Sequence, residues 1–495
     1  MSRPPAGDRS RDIAVVGIGC QFPQANDLHA YWDNIRNARV CFSPVPAWRW
    51  NHDLYYHPSS RETDKTYARK VGFIDDVRGF AAMHYGLAPL RVKVMDPQHR
   101  LLLDAVRMAL EDAGYGARPP APERHVGVFM GLSVSEYKDL VTTRLRSQAI
   151  FDGQFGRVAE MPREIGPATV EDIAPVRAFS IAGNLLNMAA ATVAQTFDLR
   201  GPAFTIDAAC SSSLVAVYEA ILHLRAGQCD AALAGGVYLN LTPDNLVGFS
   251  RIGAISKSDA CRPFDVGADG FVLGEGVGVV YLKRLPDALR DGDRIYSVIR
   301  GAGINNDGRG EGPMTPRGEG QKEAIRRAHA QTSMPVETIG YVETHGTATG
   351  VGDVTEVGAL KAFFQEQGAT EPGRCALGSI KANVGHTMSA AGVAGFVKTC
   401  LMLHHGVIPP QPAVTTLNPK LELAHSPFAS QTDYLREEAC DEKMDLEEYL
   451  QVKENPASKN SEIKEKERNT LKKMAYYSKE RNLSLLDSTI KSLLF

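Results

Sequence analysis

The sequence predicts an α/β protein made of two similar strand–turn–helix halves, and three stretches carry that prediction. In 203–217, AFTIDAACSSSLVAV, an apolar strand-like run from Ala203 to Ile206 meets a polar turn at Asp207 and then Cys210 among small residues. Leu214, Val215, Val217, Ile221, Leu222 and Leu224 follow at the spacing of one helical face. Ile339–Glu343 is strand-like and leads into Thr344-His345-Gly346-Thr347-Ala348-Thr349-Gly350. Ala376–Ile380 is strand-like and leads through Lys381-Ala382-Asn383-Val384-Gly385-His386 into a helix that begins on small residues at 389–395. Cys210 and His386 thus share one setting, although no fixed repeat period accompanies the likeness.

The remaining elements follow in order. Residues 12–20, DIAVVGIGC, read as a buried strand closing on a glycine turn. Gly17-x-Gly19 lacks the third glycine of a dinucleotide fingerprint, because position 22 is Phe. Residues 28–38 form a short amphipathic helix, and Arg49 to Lys70 is loop. Asp96-Pro97-Gln98 opens a helix over Leu101 to Ala113, with proline in the first turn and a stop at Gly114. His125–Met130 is a strand, followed by a long irregular region over the core. Ala231–Leu241 is a buried strand kinked at Gly235-Gly236, and 267–282 alternates glycines with apolar residues, as strands do where backbones approach closely. The helix after His386 ends near His404.

With 495 residues, 43% of them apolar, the chain can bury one large core or roughly two to three ordinary domains. A net charge of -3 and the lack of any basic run with interleaved aromatics exclude a nucleic-acid partner. No apolar stretch is long enough to span a membrane, and MSRPPAGDRSRD has no signal-peptide core. The eight cysteines are scattered without a C-x-x-C pair, which indicates reduced thiols in a cytoplasm and neither a disulfide framework nor a zinc site. The histidines show no metal-ligand spacing, and His404–His405 reads as a helix-end pair. Near Asp433 the composition breaks. Residues 433–495 hold no glycine, one proline, nine lysines and three arginines, against 11 lysines and 32 arginines upstream. That segment reads as solvated helix or disorder, with 462–495 a candidate docking helix for another subunit.

Cys210, His345 and His386 each occupy a small-residue turn at a strand end, where ligands bind in open α/β sheets. A cysteine at a helix N-terminus is expected to favour thiolate and can hold an acyl group as a thioester. Two histidines beside it can stabilise or move charge, and a neutral Nε2–H can donate to an enolate oxygen. Buried inert cysteine and structural histidine are the bland alternatives for each residue alone. A Cys–His hydrolase is a further alternative. Two separate histidine motifs, neither with an acidic triad partner, count against it.

TIDAACSSSLVAV, VETHGTATGVGDVTEVGAL and GSIKANVGHTMSAAGVAGFVKT resemble the three active-site motifs of β-ketoacyl synthases, specifically the ketosynthase domains of type I polyketide synthases. DIAVVGIGCQFP, MDPQHRLLLDAVRMALEDAG and FSRIGAISKSDACRPFDVGADGFVLGEG match the same family, and the resemblance covers residues 12–428. It implies a thiolase-like fold, two similar α/β halves layered α-β-α-β-α, usually as a homodimer. Residues 1–11 would precede a nucleophile-bearing half at 12–265 and a histidine-bearing half at 266–432, with the tail at 433–495. Cys210 would take an acyl chain from the phosphopantetheine arm of an acyl carrier protein, so the chain itself would bind no cofactor or metal. His345 and His386 would assist decarboxylation of a malonyl-type extender, and the resulting carbanion would attack the Cys210 thioester in a decarboxylative Claisen condensation. Lys381 matches the family's active-site lysine, Thr347 and Thr349 match the threonines that bind the pantetheine arm, and Glu356 is a candidate charge partner.

Two departures stand out. Residues 183–200 lack the family's ANRIS-like run, and no GFGG-type turn followed by N-A-H occurs after Phe428. The second departure leaves an alternative reading, a truncated or frame-shifted, catalytically impaired ketosynthase acting as a binding partner.

Overall fold

The computed structural model describes residues 11–116, 125–151, 176–310, 312, 315–431 and 492–494. Its main sheet is built from β1 (Ile13–Gln21), β2 (Val126–Gly131), β3 (Ala203–Ile206), β4 (Ala231–Tyr238), β5 (Gly276–Arg284), β6 (Ser297–Gly301) and a last strand, Ser492–Leu494. That last strand lies outermost, followed by β6, β1, β5, β4, β2 and β3. β4, β2 and β3 run parallel, whereas β5 is antiparallel to both β1 and β4. The tail was expected to be helical or disordered. Ser492–Leu494 instead pairs in parallel with Val298–Gly301 of β6, and the rest of 433–495 lies outside the described residues. A second, three-stranded parallel sheet has the order β9 (Phe428–Ser430), β8 (Cys375–Gly378), β7 (Tyr341–Glu343).

Side-chain alternation along β1 separates two cores. Ala14 and Val16 face a cluster with α1 (Pro97–Asp112) and α2 (Met188–Thr196). Ile13, Val15, Ile18 and Cys20 face a cluster with α3 (Ser212–Arg225) and α4 (Ala391–His405). A register shift between Val15 and Gly17 accounts for the phase change. The three-stranded sheet buries Leu377 and Phe428 against Val357, Leu360, Phe363 and Phe364 of α5 (Gly352–Glu366). The result is the expected α-β-α-β-α layering, with α3 and α4 between the sheets. No helix among the described residues is long and apolar enough to cross a membrane.

β5, read from the sequence as part of the histidine-bearing half, lies between β1 and β4 in the main sheet. Three expectations need correction. Gly17 and Gly19 are interior to β1 and make no turn; a Cβ on either would strike the carbonyls of Ala109 or Ala105, so glycine lets α1 lie directly on the strand. Gly235-Gly236 causes no kink, because the β4–β5 register runs unbroken past both; Gly235 faces the Gly278 carbonyl at close approach. The irregular region after β2 contains helices at Glu136–Phe151 and Met188–Thr196.

Candidate active site

The middle layer brings the two halves together. α3 and α4 meet at their first turns, where Val393 N–H donates to Ser213 Oγ at 3.0 Å, and in the turn just before α4 Ser389 Oγ donates to the Val237 carbonyl of β4 at 2.7 Å. A Cβ at Gly392 would lie 2.5 Å from Leu214 Cγ, which is why this helix begins on small residues. The buried face of α3 is Ser213, Ala216, Val217, Ala220, Ile221 and Leu224. Leu222, expected on that face, is exposed, and Leu214 and Val215 are half-buried.

Cys210 sits in a single 3-10 turn, Ala209–Ser211, between β3 and α3. Ala209 holds the left-handed conformation at φ 50, a strained setting for a side chain with a Cβ. Ser212 clamps the turn: its Oγ donates to the Ala209 carbonyl at 2.7 Å and accepts from Ala208 N–H at 2.9 Å. The thiol is half-buried. Burial raises its pKa above the usual value, while the Lys381 charge and the cysteine's own amide oppose the rise. Burial thus works against the thiolate that a strand-to-helix turn was expected to favour.

His386 is 2% exposed. Its N–H donates to the Val272 carbonyl at 2.8 Å and its carbonyl accepts from Gly274 N–H at 3.0 Å, so the segment before β5 grips it as a bridge partner. Gly385 turns the chain into that position at φ 82. Phe271 meets the ring edge-on with centroids 4.9 Å apart. Met388 N–H donates to Nδ1 at 3.2 Å, which leaves the proton of the neutral ring on Nε2. Burial, then Lys381, then His345 hold its pKa well below the ordinary imidazole value.

The His345 ring stands 5.4 Å from that of His386, nearly perpendicular to it. Its side chain is open to solvent on one side. Protein mass on the other sides, and then the Lys381 charge, push its pKa down. The two oxygens of Glu356 accept from the backbone N–H groups of His345 at 2.6 Å and Gly346 at 2.9 Å. Burial raises the Glu356 pKa, opposed by those two amides and by Lys381. Thr347 and Thr349 lie in the same loop with their hydroxyls 3.2 Å apart.

Lys381 opens the short helix Lys381–Val384 and is 3% exposed. Its charge acts on Cys210, His345, His386 and Glu356, so one buried ammonium marks where the separate motifs converge. Chemically, the site offers a reachable thiol, two neutral imidazoles and one cation. Sequence reasoning missed Glu343, whose carboxylate accepts from Ile380 N–H at 2.6 Å, and Gln411, which accepts from Ser379 N–H at 2.7 Å. Glu343 stands two residues before His345, but strand periodicity says nothing about where its side chain goes.

Known proteins resemble this chain in sequence and fold. The model of the β-ketoacyl synthase N-terminal domain matches residues 10–288, and that of the C-terminal domain matches residues 296–415. Polyketide synthase ThaG of Burkholderia thailandensis is 39% identical over 416 residues, 83% of this chain and 7% of its own length. Polyketide synthase PksL of Bacillus subtilis is 38% identical over 437 residues, 88% of this chain and 9% of its own length. The chain thus spans a small part of the curated relatives that it matches. Among solved structures, the oxazolomycin ketosynthase domain OzmH KS7 of Streptomyces albus JA3453 aligns with TM-score 0.75 and 32% identity, over 85% of this chain and 67% of that one. The ketosynthase from module 6 of the bacillaene synthase of Bacillus subtilis 168 aligns with TM-score 0.71 and 36% identity, over 85% and 66%.

Proposed function

We propose, from the premise that this chain belongs to the β-ketoacyl synthase family as a ketosynthase of the type I polyketide synthase class, that it condenses a cysteine-bound acyl chain with a malonyl-type extender. The observation that carries this reading is the convergence of Cys210, His345 and His386 around Lys381. In the first half-reaction the Cys210 sulfur attacks an acyl thioester. The acyl C–S bond to pantetheine breaks, and the thiol proton passes to the leaving pantetheine sulfur. In the second, the extender loses CO2 and its carbonyl becomes an enolate. The Nε2–H of His386 donates to that oxygen and the Lys381 charge stabilises it. The enolate carbon then attacks the Cys210 thioester; a C–C bond forms, the C–S bond breaks, and the departing thiolate takes a proton from water to return Cys210 as the thiol.

Neutral histidines suit this work. A ring that burial, and then Lys381, keep neutral donates through Nε2 without carrying its own charge into the resting site. Thr347 and Thr349 line the same loop as His345 and would hydrogen-bond a pantetheine arm, supplied by an acyl carrier protein. β3 supports a homodimer: among the described residues it is an edge strand paired on one side, with Ala203 and Phe204 exposed. Seven free cysteines among the described residues support a reducing, cytoplasmic setting.

Incubation with an acyl-pantetheine thioester followed by peptide mapping tests the reading. Acylation at Cys210 is the expected result; labelling of other thiols with Cys210 unmodified would overturn it.

A further inference from the structure

β7 and β8 are parallel neighbours, and each ends in a turn bearing a site residue. Glu343 is the last residue of β7, two positions before His345; Ile380 lies just beyond β8, one before Lys381. The Glu343 carboxylate joins them. Oε1 accepts from Ile380 N–H at 2.6 Å, while Oε2 accepts from Lys398 Nζ at 2.9 Å and from the Tyr341 hydroxyl at 2.5 Å. Lys398 also donates to the Tyr341 oxygen at 2.8 Å, and its side chain is 2% exposed. Lys398 belongs to α4, the helix that follows His386. Room for the carboxylate comes from Gly395 on the same helix, where a Cβ would lie 2.7 Å from Glu343 Cγ.

One side chain therefore ties the His345 strand, the Lys381 turn and the His386 helix together. Stability alone does not explain it, because a buried ion pair is commonly matched by apolar residues of similar volume. What an apolar residue cannot supply is the acceptor for Ile380 N–H. We infer that Glu343 is a positioning residue, which fixes Lys381 and the two histidines in one frame relative to Cys210. The inference rests on the condensing reading for its rate arm only.

Two double variants isolate the acceptor: Glu343→Leu with Lys398→Met, and Glu343→Gln with Lys398→Met. Both remove the charges, leave no unpaired Lys398 and are checked for folding by thermal melting. Only glutamine keeps an oxygen for Ile380. The first readout is the pH midpoint of Cys210 alkylation by iodoacetamide, which is set by burial of the thiol, its own amide and the Lys381 charge. Lys381 displaced in the Leu variant raises that midpoint by about half a pH unit or more relative to the Gln variant. The second readout is CO2 release from a malonyl-pantetheine thioester, expected to be roughly tenfold or more slower in the Leu variant, with glutamine restoring it. Equal alkylation midpoints in the two folded variants would overturn the inference, whether or not CO2 is released. Wild-type protein that releases no CO2 counts against the condensing reading and leaves the alkylation comparison decisive for Glu343.

Discussion

The turns after β3 and after β8 lead from a parallel strand into a middle-layer helix, yet they hold their reactive residues in opposite ways. Cys210 is half-open, on a single 3-10 turn clamped by Ser212, beside an edge strand. His386 is closed off, gripped through its backbone by Val272 and Gly274 and covered by Phe271. The difference follows from the chemistry: a nucleophile that receives one acyl group and surrenders it to another must be reachable. A donor that stabilises an enolate works best where water is excluded and the geometry is fixed.

Breaking the open side gives the largest effect. Cys210→Ala removes the acyl acceptor, and condensation measured by product mass falls by about 10³-fold or more. Breaking the closed side comes next. His386→Ala lowers CO2 release by about 10²- to 10³-fold, the cost of one preorganised donor, while peptide mapping still finds acyl-Cys210. Gly385→Ala then tests the grip itself. With φ at 82 and a new Cβ 2.7 Å from the Val272 carbonyl, it destabilises the fold by about 1–3 kcal/mol, read from denaturant melts. Thr349→Val on the His345 loop raises KM for a carrier-bound substrate by about fivefold with kcat little changed, as loss of one ordinary hydrogen bond would.

The mildest effect is on acid stability. Folding holds the His386 pKa well below 6.5, so under mild acid the unfolded chain binds a proton that the folded chain refuses. Stability is therefore full above 6.5 and lost as pH falls through that value. His386→Gln removes the proton uptake, so its melting temperature declines less than that of the wild type between pH 7 and about 5.

Much of this contrast was legible in the sequence. The strand–turn–helix units at Cys210 and His386 were readable because an apolar run, a small-residue turn and a helical period follow one another. The motifs carried Lys381 and both histidines. Gly17-x-Gly19 and Gly235-Gly236 were misread as a turn and a kink, because a glycine that admits a neighbouring backbone looks the same in sequence as one that bends its own. The upward push of burial on the thiol was not legible, since a strand-to-helix turn is local but burial depends on how the chain packs. Glu343 was hidden for the same reason: its three partners lie at 341, 380 and 398. The place of β5 between β1 and β4 needed the pairing pattern itself, because sequence order does not give strand order in a sheet.

The most direct test of the division between an open nucleophile and a closed charge stabiliser is a single-turnover chase. Protein pre-acylated at Cys210 is freed of donor and mixed with malonyl-loaded carrier protein, and the Cys210 peptide is followed by mass. The wild type is expected to lose the acyl adduct as carrier-bound β-ketoacyl product and CO2 appear in equal amounts, and acylated His386→Ala to keep it. Loss of the adduct by hydrolysis without product, or equal turnover by the His386 variant, would contradict the account.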